Sequence, residues 1–131
     1  MNTSILLDTN AYTGFKTNRE EIVRELQAAR VIGMSPIVLA ELYAGFRLGT
    51  REKKNLDELV TFRRNPRVQV LQITERTAFF YAHIFAALKR KARPIPSNDI
   101  WIAASAMEHG LVLVSFDSHF QQVDGLTCRL F

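Results

Sequence analysis

The stretch ILLDTNAY, residues 5–12, joins an uninterrupted aliphatic run to a carboxylate. Ile5 to Leu7 shows no polar alternation, which is typical of a short strand that is buried on both faces. Asp8 follows at the point where such a strand would leave the core. Asp and Asn are also common in turns, because their side chains bond to the nearby backbone. Asp8 by itself therefore does not distinguish a turn from a functional site.

Short apolar runs alternate with helix-like segments along the rest of the chain. Pro36 after Ser35 is typical of a helix start, and Gly110 is typical of a helix end. This alternation favours an α/β fold with a central, mainly parallel sheet of four to five strands flanked by helices. The predicted strands are residues 4–8, 31–35, 68–73, 111–115 and, with a weaker pattern, 127–130. The predicted helices are, to within a few residues, 18–30, 36–48, 51–64, 75–92 and 97–109.

The composition of the 131-residue chain is that of an ordinary globular domain, with 47% hydrophobic and 23% charged residues. We expect one domain, residues 1–131. No apolar run approaches the roughly 20 residues that span a bilayer, so no membrane association is expected. The single cysteine, Cys128, leaves no intramolecular disulfide. We therefore predict a cytoplasmic protein.

The chain carries 17 Lys and Arg against 13 Asp and Glu, a formal charge of +4. Clustered cations suit a nucleic-acid backbone, because neutralised phosphates release counterions. Solvated helix ends would explain the same clusters, so the charge alone does not identify a nuclease. The clusters are Arg47, Arg51, Lys53 and Lys54; Arg63, Arg64 and Arg67; and Lys89, Arg90, Lys91 and Arg93.

Four of the 13 acidic residues, Asp8, Glu41, Asp99 and Asp117, lie in otherwise apolar surroundings. Glu41 is the only ionisable residue in SPIVLAELYAGF, residues 35–46, and it shares the apolar stripe of that predicted helix. An unpaired buried carboxylate costs several kcal/mol or takes up a proton. Glu41 therefore needs a cation, a hydrogen-bond donor, or a structural ion pair with an arginine.

Asp99 and Asp117 could likewise have either a structural or a functional role. Asp99 lies in the first turn of an apolar helix, where the helix dipole favours an acid, although Ser97 or Asn98 could cap that helix instead. Asp117 follows the apolar run 111–115 and repeats the arrangement around Asp8. Either residue alone would be assigned to a cap or a turn.

The four acids are more informative together than singly. In an α/β fold they can meet at the carboxyl edge of the sheet, where ligands bind. Converging carboxylates repel one another, which favours a divalent cation among them. Oxygen ligands suit Mg²⁺ or Mn²⁺. The three histidines, His83, His109 and His119, show no paired spacing with each other or with Cys128, so a zinc site is not expected.

Four segments resemble, in order and spacing, the acidic motifs of PIN-domain ribonucleases, and most closely the VapC-type toxins of toxin–antitoxin pairs. They are LLDTNAY, LAELYAGF, PSNDIWIAASA and LVSFDSHF, and the resemblance extends over residues 5–130. It implies a PIN-like three-layer fold, a homodimer, and cleavage of RNA that depends on Mg²⁺ or Mn²⁺. It also implies a small antitoxin protein whose C-terminal arm occupies the active-site groove.

The resemblance places the catalytic and metal-binding acids at Asp8, Glu41, Asp99 and Asp117. Thr9 and Ser115 match its hydroxyl positions; Ser115 stands where threonine is more common and keeps the hydroxyl. We expect the three aspartates to bind metal, and Glu41 to bind a second ion or to orient the attacking water. In-line attack would leave a 5′-phosphate and a 3′-hydroxyl.

Two other functions are compatible with parts of the sequence. A phosphatase of the haloacid-dehalogenase type also begins with a strand followed by Asp, but that family has a second Asp where this chain has Asn10, and Glu41 would have no role in it. A non-catalytic RNA- or partner-binding PIN-like module would use the same basic surface. It would bind without metal and without the acids, so the complete set of four acids argues against it.

Overall fold

The computed structural model describes residues 3–131 and contains five strands and six α-helices. A short 3₁₀ helix, Ser118–Gln122, follows the fourth strand. The strands are β1 (Ser4–Leu7), β2 (Val31–Met34), β3 (Val68–Val70), β4 (Val112–Ser115) and β5 (Cys128–Leu130). The helices are α1 (Thr9–Lys16), α2 (Glu20–Ala28), α3 (Pro36–Leu48), α4 (Glu52–Arg63), α5 (Glu75–Arg90) and α6 (Ser97–His109).

The strands form one parallel sheet in the order β3-β2-β1-β4-β5. β1 is central and pairs with β2 and with β4, with Leu7 opposite Val114. Ile5, Leu6 and Leu7 are completely buried, as expected for a parallel strand covered on both faces. The predicted α/β fold with a parallel sheet flanked by helices is confirmed, and the sheet has the larger of the two predicted numbers of strands.

The bounds of most predicted elements agree with the structure within a few residues, with one omission. Helix α1 is absent from the helices predicted from the sequence, and its residues Thr9, Asn10 and Gly14 are poor helix formers. It forms because Asp8 caps it, accepting a 2.8 Å hydrogen bond from the backbone N–H of Thr9, and because its apolar face is buried. Tertiary packing thus outweighs weak intrinsic helix propensity at this position.

The pairing of β1 with β4 determines where the candidate site lies. Both strands end at the same edge of the sheet, and the N–H of Asp8 donates to the carbonyl of Val114 across that edge at 3.0 Å. None of the helices in the described part of the chain combines the length and the apolar character needed to cross a membrane.

Candidate active site

The four acids expected from the sequence line one open cleft at the carboxyl edge of the sheet. The cleft has a volume of about 380 Å³. Asp8 follows β1, Glu41 lies in α3, Asp99 lies in the first turn of α6, and Asp117 follows β4. Thr9, Asn10 and Thr13 of α1 complete the lining. Side chains that are far apart in sequence therefore meet where parallel α/β sheets bind their ligands.

Asp8 is the most deeply buried of the four acids, with 5% of its surface exposed. Its carboxylate accepts hydrogen bonds from the backbone N–H of Thr9 at 2.8 Å and from the hydroxyl of Ser115 at 2.6 Å. Burial raises the pKa of Asp8 to about 6; Asp99 and Glu41 add to this, and the two hydrogen bonds partly oppose it. The ionised form of Asp8 is therefore destabilised unless a cation is present.

Ser115, the last residue of β4, connects two of the acids. Its buried hydroxyl donates to Asp8 and accepts a 2.9 Å hydrogen bond from the backbone N–H of Asp117. The amide oxygen of Asn10 accepts from the N–H of Phe116 at 3.1 Å and holds the same turn against α1. The hydroxyl at position 115 thus sets the position of Asp8 relative to Asp117.

Glu41 is held by neutral donors. Its carboxylate accepts from the hydroxyl of Thr9 at 2.5 Å and from the side-chain amide of Asn98 at 3.3 Å. Within residues 3–131, Glu41 forms no ion pair with any Lys, Arg or His. The alternative of a structural ion pair with an arginine is therefore wrong. Both donors lie in other elements, α1 and α6, and they orient Glu41 towards the cleft.

The first turn of α6 carries no side-chain cap, so the expectation that Ser97 or Asn98 caps this helix is wrong. The hydroxyl of Ser97 lies 2.9 Å from that of Tyr81, and Asn98 donates to Glu41. Asp99 does not cap the helix either; its carboxylate points to the side chain of His119. Asp99 thus remains available to the cleft.

His119 belongs to this site, although it is not among the four site residues predicted from the sequence. Its Nδ1 lies 3.1 Å from a carboxylate oxygen of Asp99 and 3.1 Å from one of Asp117. The hydrogen bond to Asp99 raises the pKa of His119. Burial raises the pKa of Asp99, His119 opposes that shift, and the charge of Asp117 adds to it. The spacing of His119, two residues after Asp117 within a predicted site motif, was the signal that could have identified it.

The donor set fits a divalent cation. Asp99, Asp117 and His119 each offer a ligand atom, and these atoms lie within 4.8 Å of one another. Asp8, with its raised pKa, and Glu41 line the same cleft. Carboxylates suit Mg²⁺ and Mn²⁺, and imidazole is a better ligand for transition metals than for Mg²⁺. The histidine adds a nitrogen donor to the all-oxygen set expected from the sequence.

The turn before Asp117 is supported by close packing against α1. A Cβ atom at Gly14 would lie 2.8 Å from the ring of Phe116, so only glycine allows this approach without displacing the ring. The guanidinium of Arg19 covers the same ring at 4.6 Å from its centroid. The position of Asp117 therefore depends on residues about a hundred positions earlier in the chain.

The basic clusters differ in their availability to a ligand. Arg67 is structural, because its guanidinium donates to the carbonyls of Leu26 and Ala29 at 2.7 and 2.8 Å. Arg47 pairs with Glu52 at 3.5 Å. Composition alone did not separate such cations from those that are free to bind phosphate.

Comparison with known proteins identifies the class of this fold and site. The chain matches the model of the PIN domain over residues 5–126. Ribonuclease VapC1 of Haemophilus influenzae strain R2866 is 33% identical over 129 residues, covering 92% of each chain. The chain belongs to the PIN-domain family and, within it, to the VapC ribonucleases.

Two solved structures share the architecture. One is the VapBC-1 structure from nontypeable Haemophilus influenzae, with a TM-score of 0.83, 29% identity and 96% coverage of both chains. The other is the DNA-bound VapBC structure from Salmonella typhimurium, with a TM-score of 0.85, 28% identity and 97% coverage of both chains. Both cover nearly the full length of the chain, so the fold of this protein is that of the VapC chains.

Proposed function

We propose that this protein is a metal-dependent endoribonuclease toxin that hydrolyses RNA phosphodiester bonds at the four-acid cleft. The observation that carries the proposal is the convergence of Asp8, Glu41, Asp99 and Asp117 in one cleft. A structural role would pair each acid with a cation or a helix end. Glu41 accepts only from the neutral donors Thr9 and Asn98, and Asp99 caps no helix and contacts His119, which belongs to the same site. The relatives named ribonuclease VapC support the same chemistry.

We assign the metal ligands to Asp8, Asp99 and Asp117, with Mg²⁺ or Mn²⁺ as the ion. A bound divalent ion lowers the pKa of water and stabilises negative charge on the phosphate. Glu41 binds a second ion or orients the attacking water, and the hydroxyl of Thr9 and the amide of Asn98 hold it for that role. The hydroxyl of Ser115 bonds to both Asp8 and the backbone of Asp117, and so fixes the position of one acid relative to the other.

A cognate antitoxin is proposed as the inhibitor, since the related solved structures are VapBC toxin–antitoxin assemblies. An acidic cleft in a net basic protein attracts one cationic side chain, and an arginine can form paired hydrogen bonds with carboxylates. We expect the antitoxin to place such a side chain among the acids. Replacing that arginine by alanine should weaken inhibition; a complex in which the acids bind metal and no antitoxin side chain enters the cleft would contradict this.

The test of catalysis is cleavage of single-stranded or looped RNA by wild type and Asp99→Asn, with Asp124→Asn as the matched control at the exposed surface. Wild type should cut with Mg²⁺ or Mn²⁺ and stop in EDTA. Asp99→Asn should lose cleavage and also the thermal stabilisation by Mn²⁺, which requires binding to the folded state. Its stability without metal should hold or rise, because a like charge near Asp8 and Asp117 is removed.

Three outcomes would contradict the proposal. Cleavage by metal-stripped protein in EDTA would remove the metal from the reaction. A destabilised Asp99→Asn that still cuts RNA and still responds to Mn²⁺ would assign Asp99 to the helix dipole, an interaction worth about 0.3–1 kcal/mol. RNA binding without cleavage over a broad substrate panel would favour the non-catalytic module.

A further inference from the structure

A second cleft lies beside the acids, between α1 and the start of α4. It has a volume of about 330 Å³, and its lining includes Tyr12, Lys16, Arg51 and Lys54. We call it the basic cleft. Thr13 lines both the basic cleft and the four-acid cleft, so the two are adjacent along α1.

The charges of the basic cleft are not balanced internally. Lys16 pairs with Glu58 at 3.0 Å. Arg51 and Lys54 are exposed, and neither forms an ion pair or a side-chain hydrogen bond with any residue between 3 and 131. Three cations against one carboxylate leave two positive charges without partners. Such a surface favours an anion.

The N-terminus of α4 opens into the same cleft. Arg51 is the N-cap residue of this 12-residue helix, and no side chain caps its first turn. Backbone N–H groups without intrahelical partners and the positive end of the helix dipole favour phosphate at such a position. Lys54 and Asn55 follow within the next turn and also line the cleft.

The side chain of Tyr12 gives an independent indication of a ligand. Tyr12 lines the cleft with only 2% of its surface exposed, and its hydroxyl has no hydrogen-bond partner in the described residues. Its ring packs edge-on against Phe62, with centroids 5.2 Å apart, which holds it in place. Burial, with a contribution from Glu58, raises the pKa of Tyr12 to about 12, so the hydroxyl stays protonated and can donate. An unpaired buried hydroxyl is costly, and a ligand oxygen would satisfy it.

The distance along α1 fits one nucleic-acid strand that occupies both clefts. Thr9 bonds to Glu41 in the four-acid cleft, and Lys16 lies seven residues further along the helix, or about 10 Å along its axis. A phosphate near Lys16 is therefore a different one from the phosphate at the acids.

We propose that the basic cleft, formed by Tyr12, Lys16, Arg51 and Lys54, binds a backbone phosphate of the RNA substrate away from the scissile bond. This inference rests on the proposed ribonuclease function. A phosphate contact positions the strand and carries no base information. The basic cleft thus contributes to the affinity for RNA and to the position of the strand. Other contacts determine which RNA sequence is bound.

The test compares Lys54→Gln with Lys53→Gln, because the two lysines are adjacent in α4 and only Lys54 lines the basic cleft. Lys53 is 90% exposed and pairs with Asp57. Both variants replace one lysine by glutamine, so they change the net charge by the same amount. Binding of a fluorescent single-stranded RNA is measured in EDTA over a range of salt concentrations. Lys54→Gln should weaken binding and reduce the slope of log Kd against log salt by about 0.7, and Arg51→Gln/Lys54→Gln by about 1.4. Lys53→Gln should leave the slope unchanged.

Two further measurements identify the contact. With Mn²⁺, Lys54→Gln should raise KM and leave kcat unchanged, because the contact is the same in substrate and transition state. Replacing single RNA phosphates by neutral methylphosphonates should reveal one linkage outside the cut site that weakens binding to wild type. The same linkage should have no further effect in Arg51→Gln/Lys54→Gln.

The outcomes separate this inference from the proposed function. If wild type neither binds nor cuts RNA, the proposed function fails and the inference fails with it. If wild type cuts RNA but Lys54→Gln and Lys53→Gln behave alike, only the basic cleft is wrong. If Lys54→Gln weakens binding of the cognate antitoxin and leaves RNA binding unchanged, the cleft is a protein-binding surface and the inference is overturned.

Discussion

At the scale of one residue, Asp8 is a carboxylate whose burial makes its charged form costly in the metal-free fold. It lies within the core, between the backbone of Thr9 and the hydroxyl of Ser115, and three further acids line the same cleft. Its pKa of about 6 in the folded state exceeds the ordinary value of 3.8. The folded protein therefore binds more protons than the unfolded chain between those two pH values. In the absence of metal, this residue lowers stability as pH rises through that window.

We predict that Asp8→Asn stabilises the metal-free protein at neutral pH. The gain in the free energy of unfolding should reach up to about 3 kcal/mol near pH 7.5. It should fall to about 1 kcal/mol near pH 4.5, because Asp8 is then still mostly protonated in the folded protein and carries little charge. Urea unfolding of metal-stripped wild type and Asp8→Asn at the two pH values measures this. Asp124→Asn, a change at an exposed acid, should show no such pH dependence.

A contrary result would also be informative. If Asp8→Asn is less stable than wild type at both pH values, the hydrogen bonds from Ser115 and Thr9 outweigh the cost of burying the charge. In the expected case, where Asp8→Asn is the more stable protein without metal, Mn²⁺ should reverse the order in favour of wild type, because only the carboxylate gains from the ion.

At the scale of elements, the contact between α5 and α6 is fixed by a buried polar link. The hydroxyl of Thr77 donates to the carboxylate of Glu108 at 2.6 Å and accepts from the N–H of Thr74 at 3.0 Å. Thr77 is completely buried, and the Glu108 side chain is 8% exposed. α6 also carries Asp99 and Asn98, so this link belongs to the support of the site and not to its chemistry.

Replacing Thr77 by valine should lower the free energy of unfolding by about 1–3 kcal/mol. The change keeps the shape of the side chain but leaves a buried carboxylate and a backbone N–H without their partner. Thr77→Ser, which retains the hydroxyl, should lose less. Urea unfolding measures the loss; RNA cleavage per folded molecule and stabilisation by Mn²⁺ should stay at wild-type levels. A selective loss of metal response in Thr77→Val would instead link this contact to the site.

At the scale of the whole molecule, the exposed face of α5 carries two large aromatic side chains. Phe79 is 73% exposed and Phe85 is 47% exposed, and the ring of Tyr81 stacks on that of Phe85. Phe79 and Phe85 are six positions apart, which separates them by about 120° around the helix axis. Large exposed aromatic side chains of this kind indicate an interface. Phe80 is partly buried against the core, so Phe79 is the sharper probe of this face.

We predict a homodimer that uses this face of α5. Sedimentation at micromolar concentration should show a dimer for wild type and a monomer for Phe79→Ser/Phe85→Ser. Leu48→Ser, at the end of α3, removes an apolar side chain that is 90% exposed and lies outside α5. This control should remain a dimer. A wild-type monomer would exclude the interface, and a double variant that stays dimeric would move it elsewhere.

The sequence determined the α/β class, most of the element bounds and the four acids. These properties are local: an uninterrupted apolar run such as residues 5–7 specifies a buried strand, and an acid within an apolar segment is conspicuous in its immediate context. Glu41 and Asp117 could be singled out because the segments of sequence around them are mostly apolar. Whether such an acid caps a helix, pairs with an arginine or faces a cleft was not decided at that level.

The tertiary structure decided the rest, because the deciding contacts join residues far apart in sequence. Ser115 meets Asp8 across 107 positions, and Asn98 meets Glu41 across 57. His119 meets Asp99 because the fold brings the start of α6 to the end of β4. Helix α1 forms against its weak propensity since packing buries its apolar face. Local patterns carry burial and periodicity, whereas the partners of a polar side chain depend on which elements the folded chain brings together.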